Sequence, residues 1–230
     1  VSMHGGVLNS LALKQFGISA KTRTPPGGII VRKPGTQEPW GLIMETAWLP
    51  VFGSLPKPTP EQEVEWSKAG QALYARHGVT TAHEGATHAA ELALMKRAAA
   101  GGADLIDVVA FPFITELDRI MQEHPVSGWM KYENGLKIGG VKITIDGSPQ
   151  GRTAAFTKPY LAGGPGGEKN WKGELAALPP MIEKAVAGVY ALGVPLSLHA
   201  NGDAAIDAFL KIHEKVAADA PGKDRHVTLI

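Results

Sequence analysis

Gly139-Gly140-Val141-Lys142-Ile143-Thr144-Ile145-Asp146-Gly147-Ser148 is the stretch that decides the fold. Side chains alternate along a strand, so Val141, Ile143 and Ile145 share one face while Lys142, Thr144 and Asp146 share the other. An aliphatic face of this kind suits a parallel sheet covered by helices, which leaves Lys142 pointing to the opposite, interior side. The same grammar returns in Val194-Pro195-Leu196-Ser197-Leu198-His199-Ala200-Asn201-Gly202-Asp203. There Leu196 and Leu198 face the helices, Ser197 and His199 face inward, and His199 stands at the carboxyl end of the strand.

Working outward, helical and strand patterns alternate from about Glu61 to the last residue, the signature of βαβ units and a parallel sheet. Thr59 caps a helix with Pro60 at its first position and an acidic first turn; the helix ends at Gly78. Strands are expected at 79–82, 105–111, 141–145, 196–199 and 226–230, and helices at 87–100, 115–123, 179–192 and 204–218. This is an α/β chain with five strands and four crossovers. The first part reads differently. Residues 9–16 suit one short helix, and Pro25-Pro26-Gly27-Gly28, Lys33-Pro34-Gly35 and Glu38-Pro39 punctuate two apolar runs, 29–31 and 41–44, as in a hairpin-like excursion. The sequence therefore divides into residues 1–58 and residues 59–230. Ala162 to Lys172, with Gly163-Gly164-Pro165-Gly166-Gly167, lacks the Lys-Ser/Thr ending of a phosphate cradle and is expected to be a mobile loop.

Composition narrows the function classes. Twenty-three Lys and Arg against 22 Asp and Glu leave a net charge of +1, so no bulk attraction draws the chain to nucleic acid or an anionic membrane; a small-molecule substrate fits better. The absence of cysteine removes disulfides, thiolate zinc sites and thiol nucleophiles, and leaves the compartment, cytoplasmic or exported, open. No apolar run approaches the ~20 residues of a membrane helix, and Val1-Ser2-Met3-His4-Gly5-Gly6 has no signal-peptide pattern. Val1 in place of an initiator Met and the apolar run 227–230 suggest a chain cut at both ends.

A lysine on an interior face is costly unless its charge is paired or chemically changed. A salt bridge or an edge position would also account for Lys142. His199 sits where parallel sheets and barrels place their sites, and Asp203 is placed to orient its second ring nitrogen as a metal ligand; a hydrogen-bonded rim histidine is the plainer alternative. Arg152 either holds a substrate carboxylate or pairs with Asp146. Glu84, after His83, either lines a pocket or bonds a helix N-terminus. His4 stands before two glycines. His77, His88, His124 and His213 have no partner spacing, and His226 lies at the start of its strand, the wrong end for a ligand.

The ordered set Val141-Lys142-Ile143, Asp146-Gly147-Ser148, Gly151-Arg152-Thr153-Ala154, Leu198-His199-Ala200-Asn201-Gly202-Asp203 and Ala205-Ile206-Asp207 resembles the YtcJ-like branch of the amidohydrolase superfamily, which includes N-substituted formamide deformylase. His4, Asn9-Ser10, Ala12-Leu13, Gly17-Ile18, Pro25 to Gly28, and Gly41-Leu42 with Glu45 agree with the segment after that branch's first barrel strand, and Gly78 to Thr81 with its second. The resemblance spans nearly the whole chain. It implies a (β/α)8 barrel of which strands 2 to 6 are present, and one or two divalent metals, commonly zinc. Lys142 takes the strand 4 position, often a carboxylated lysine, and His199 the strand 5 position. It places His4 in a substrate loop. It also implies hydrolysis of an amide, formamide or cyclic amide C–N bond by metal-activated water.

The strand 1 His-x-His occurs nowhere in the sequence, and the strand 6 histidine and strand 8 aspartate of the family are likewise missing. An incomplete ligand set predicts an inactive fragment, without bound metal and with Lys142 uncarboxylated. Two unpaired sheet edges predict a homo-oligomer or a rearranged sheet. Two readings compete with the hydrolase: a non-catalytic barrel segment serving as a binding or structural module, and a sugar or phosphate binder built on Gly163 to Gly167.

Overall fold

The structure, a computed structural model, describes residues 4–218 and 223–230, so Val1–Met3 of the first expected segment lie outside the described residues. The chain divides into two compact units. One comprises the residues up to Pro56 together with Ile145–Leu178 and Ala200–Lys211; the other comprises Lys57–Thr144, Pro179–His199 and the described residues from Ile212 on. The boundary near residue 57 lies where the composition shifts, but the long C-terminal part does not stay in one unit. It sends two segments back to the first.

In the first unit, strands β1 (Gly5–Val7), β2 (Gly28–Arg32) and β3 (Pro39–Glu45) form an antiparallel sheet ordered β1-β3-β2. The expected hairpin is thus β2–β3, and β1 joins its far edge. Helix α1 (Ser10–Gln15) starts at Asn9, whose side chain accepts the Ala12 N–H at 2.9 Å and satisfies one of the helix's orphan donors. A short helix α2 (Leu49–Gly53) carries Pro50 in its first turn. Ile30, Ile43 and Val51 form the core here, with Leu8, Phe16, Ile18 and Trp48 packed against it.

The second unit alternates strands and helices as the apolar spacing requires. Helix α3 (Pro60–Arg76) opens on a reciprocal capping box: the Gln62 N–H donates to Thr59 Oγ1 at 3.3 Å, and the Thr59 N–H to Gln62 Oε1 at 2.9 Å. Strand β4 (Thr81–Thr87), helix α4 (Ala89–Ala100), strand β5 (Asp107–Pro112), helix α5 (Leu117–Glu123), strands β6 (Leu136–Ile138) and β7 (Val141–Thr144), helix α6 (Pro179–Leu192) and strand β8 (Leu196–His199) follow. Helix α7 (Asp203–Ala217) and strand β9 (Val227–Leu229) complete the chain. All strand pairs here are parallel, in the orders β4-β5-β6 and β7-β8-β9, and a bridge from Phe113 to Lys142 links the two sets.

The strand expected at 141–145 is β7, and β6, which was not expected, lies just before it across Gly139-Gly140. There β6 pairs with β5 and β7 pairs with β8. Packing dictates glycine at the break: a Cβ on Gly139 would lie 2.3 Å from Val109 Cγ1, and one on Gly140 2.3 Å from the Pro195 carbonyl and 2.6 Å from the Phe111 ring. Both faces of β7 and β8 are buried. Val141, Ile143, Leu196 and Leu198 are at most 3% exposed, and α6 buries Ile182, Val186, Val189 and Tyr190, the i, i+4, i+7, i+8 stripe of a helix lying on a core.

Candidate functional site

Register decides which polar side chains share the interior face of the second unit. Lys142 pairs with Ser197 and Thr144 with His199, so Lys142 and His199 lie on one face of β7–β8, displaced by one interstrand spacing and two residues, roughly 8 Å between Cα atoms. A long amine and an imidazole at that separation can converge on one point. Lys142 is 4% exposed and Ser197 1%. Ser197 Oγ is buried with no hydrogen-bond partner among the described residues. Burial lowers the Lys142 pKa from the usual 10.5 to about 8.

His83 belongs to the same face. Its ring stacks on Phe111 with centroids 4.2 Å apart, and burial, followed by the charge of Lys142, lowers its pKa. The expected strand at 79–82 runs instead over Thr81–Thr87, which places His83 and Glu84 inside it with opposite parity. Glu84 turns locally, accepting from the Thr87 hydroxyl and from the Ala86 N–H, so the residue of this pair that shares the Lys142 face is His83.

The other candidates lie in the first unit. His4 Nδ1 is 3.2 Å from Glu45 Oε2, and that hydrogen bond, opposed by burial and reinforced by the charges of Glu45 and Asp146, raises the His4 pKa. Glu45 adopts φ +53°, a conformation that costs a non-glycine residue about 1–3 kcal/mol, and its Oε1 is buried with no hydrogen-bond partner among the described residues. Strain and an unsatisfied carboxylate oxygen at one residue make Glu45, with His4, a candidate within the first unit. The pair has a pH signature. Its stabilisation, up to about 1 kcal/mol, is fully present below pH 6.5 and fades as pH rises through the elevated His4 value. Glu45→Gln should abolish that slope in melting temperature between pH 6 and 8; an unchanged slope would place its origin elsewhere.

Asp146, Asn201 and Gly202 prove to be architecture. Asp146 is 2% exposed and accepts the N–H groups of Ala155 at 2.9 Å, Asn201 at 2.9 Å and Gly202 at 2.8 Å, while Asn201 Nδ2 donates to the Gly147 carbonyl at 2.9 Å. A Cβ on Gly202 would sit 1.8 Å from the Ala155 carbonyl oxygen, which is why this turn requires glycine. Arg152, expected on Asp146 or a substrate, donates instead to the carbonyls of Ala162 and Gly163, each at 3.2 Å. Asp203, expected to orient an imidazole, accepts from Thr157 N at 2.7 Å and Thr157 Oγ1 at 2.5 Å. The glycine-rich loop closes on its own acid: Gly164 donates to the Glu168 carbonyl at 2.8 Å and Gly166 to Glu168 Oε2 at 2.9 Å. A carboxylate already fills the cradle a phosphate would need, so the phosphate-binding reading is set aside. Of the unassigned histidines, His88 pairs with Glu116, His124 with Lys96, His213 with the Tyr190 hydroxyl and His226 with Asp224.

Among the described residues, no three His, Cys, Asp or Glu side chains converge to hold a metal ion. No helix among them is long and apolar enough to cross a membrane.

A sequence profile of the amidohydrolase family matches residues 1–230. The chain is 28% identical over 239 residues to the putative amidohydrolase YtcJ of Bacillus subtilis (strain 168), covering 100% of this chain and 42% of that protein. It is 28% identical over 241 residues to the Arabidopsis thaliana protein LONG AFTER FAR-RED 3, covering 96% of this chain and 39% of the other. The chain thus spans about two fifths of the length of these curated relatives. Two crystal structures share its fold. An uncharacterized metal-dependent hydrolase from Pyrococcus horikoshii OT3 superposes with a TM-score of 0.65 at 24% identity, over 93% of this chain and 41% of that one. Another, from Pyrococcus furiosus, gives 0.63 at 22% identity, over 93% and 42%. With Lys142 and His199 on one interior face and the family profile matching from end to end, the chain belongs to the amidohydrolase family, in its YtcJ-like branch.

Proposed function

We propose that this chain is the central part of a metal-dependent hydrolase that cleaves C–N bonds of small amides, formamides or cyclic amides, and that its parallel strands are strands 2 to 6 of a (β/α)8 barrel. The observation that carries the reading is Lys142: a lysine 4% exposed, on the same face as a histidine on the next strand. Holding a lysine there is costly unless its charge is paired or chemically changed.

Lys142 and His199 suit two positions of a metal site, and among the described residues no set encloses a cation. A bound divalent ion, zinc in this reading, would supply an activated water and polarise the substrate carbonyl. What the chain's own residues contribute is simpler. With a pKa of about 8, roughly a tenth of Lys142 is neutral at pH 7, far more than for an ordinary lysine. A neutral amine can add carbon dioxide, forming an N–C bond and releasing a proton, which converts a costly buried cation into an anionic oxygen donor. His199 offers a ring nitrogen at the carboxyl end of β8. His4, held by Glu45, presents an imidazole in the first unit for a substrate's polar groups.

Purified as these 230 residues, the chain is expected to hold well under one equivalent of zinc by elemental analysis; a stoichiometric ion would overturn the incomplete-site reading. The longer protein to which this reading assigns the chain should hydrolyse members of a panel of N-formyl, N-acyl and cyclic amides. Turnover confined to esters or phosphates would refute the C–N assignment.

A further inference from the structure

We propose that Asp146 is a positioning residue for the Lys142 and His199 pair, adding one rung beyond the β7–β8 ladder and so holding His199 in place as a donor to a divalent cation. The inference rests on the metal-donor reading of those two residues given above. The ladder pairs Lys142 with Ser197 and Thr144 with His199, and there it ends. The same two-residue step leads from Thr144 to Asp146 on one segment and from His199 to Asn201 on the other. At that next position the two segments are still joined, now through a side chain: the Asn201 N–H donates to Asp146 Oδ1 at 2.9 Å. Neighbouring groups complete the clasp, with the Gly202 N–H on Asp146 Oδ2 at 2.8 Å and Asn201 Nδ2 on the Gly147 carbonyl at 2.9 Å. Every donor and acceptor in it lies between Asp146 and Gly202.

The clasp supplies position as well as strength. Strands β7 and β8 have four residues each, and His199 is the last residue of its strand. The end of a short ladder opens first, because its final pair has ladder neighbours on one side only. A group that must meet a cation has to be held to within about 0.5 Å. The two N–H groups that follow Ala200, both bound to one carboxylate, fix the backbone just beyond His199. That carboxylate is itself fixed. Asp146 is 2% exposed and accepts a third N–H, from Ala155 at 2.9 Å, so it cannot turn away without stranding buried donors. A carboxylate serving the loops alone has no reason to keep the register of the strands, and this one keeps it.

The zinc affinity of the longer protein tests this, measured by competition with a chelating dye well below the melting temperature. Asp146→Asn is expected to weaken zinc binding by about 10–100-fold. Val51→Ala opens a cavity in the core formed with Ile30 and Ile43; it lowers the melting temperature too, yet should leave zinc affinity within about twofold. Asn201→Ala removes the side-chain bond to the Gly147 carbonyl while leaving Asp146 and its backbone donors in place, with an expected loss of about threefold to tenfold. This milder variant decides the matter if Asp146→Asn does not fold. Affinity that stays at the parental value in both clasp variants overturns the proposal, and so does an equal loss in Val51→Ala. A parent protein that binds no zinc overturns the metal-donor reading itself, and this inference falls with it; a parent that binds zinc regardless of the clasp overturns this inference alone.

Discussion

Replacing Asp146 by asparagine is expected to lower the melting temperature by about 6–12 °C. The substitution keeps shape and volume, so the effect isolates hydrogen bonding. Asp146 Oδ2 accepts two backbone N–H groups, from Ala155 and Gly202, and Oδ1 accepts a third, from Asn201. An amide side chain must turn its NH2 toward one of these sets of donors, leaving buried donors facing a donor. Hydrogen bonds to a charged acceptor contribute about 1.5–3 kcal/mol each, and a stranded buried donor costs 1–3 kcal/mol, so a loss of about 3 kcal/mol is the central expectation. For a chain of this size 1 kcal/mol moves the midpoint by about 2–4 °C. Thermal denaturation gives the shift, and hydrogen exchange should show faster opening at Ala155, Asn201 and Gly202. A shift below about 2 °C would mean that these donors find water or other partners.

Lys142→Met is expected to act in the opposite direction on stability and to be ruinous for function. Methionine matches the lysine stem in length and removes the charge from a side chain that is 4% exposed. The folded pKa of about 8 lies below the ordinary 10.5, so the burial penalty is fully felt below pH 8 and is relieved as pH rises from 8 to 10.5. The variant should therefore be more stable by about 2 kcal/mol at pH 7, and the gap should close across that window. Urea midpoints of both proteins as a function of pH provide the measurement; a variant less stable than the parent would reveal a hidden partner for the amine. In the longer protein the same change should lower kcat/KM by about 10³-fold, since it removes a proposed metal donor. A non-catalytic segment would show the gain in stability and no accompanying loss, so the pair of measurements separates the two readings of this face.

What could be read from the residues divides along physical lines. Helix α6 and strand β8 begin and end where the apolar spacing put them, because strict periodicity and the flanking Pro179, Gly193 and Pro195 leave one solution. The short elements gave no such signal: β1 is two glycines and a valine, β6 is three residues beside Gly139-Gly140, and α2 has no room for an amphipathic pattern. That Lys142 and His199 share a face was legible because strand parity is local. Glu45 was not singled out, since its significance comes from a positive φ and from a histidine 41 positions away. Arg152 and Asp203 were assigned partners by proximity in sequence, and the fold instead gives them the carbonyls of Ala162 and Gly163 and the backbone and hydroxyl of Thr157.

The Asp146 carboxylate also sets a timetable. Its acceptor atoms are made long before two of their donors, Asn201 and Gly202, 55 and 56 positions later. At ~5–20 residues per second, a ribosome needs roughly 3–11 s to add that stretch. The β1-β3-β2 sheet can form during the wait, because all of its pairings lie within the first 45 residues. The segment from Ile145 to Leu178 must meanwhile wait for these two donors. Nascent chains are then expected to gain protease resistance in two steps, early for the N-terminal sheet and late for residues 145–178. The second step should come only once Gly202 has cleared the exit tunnel.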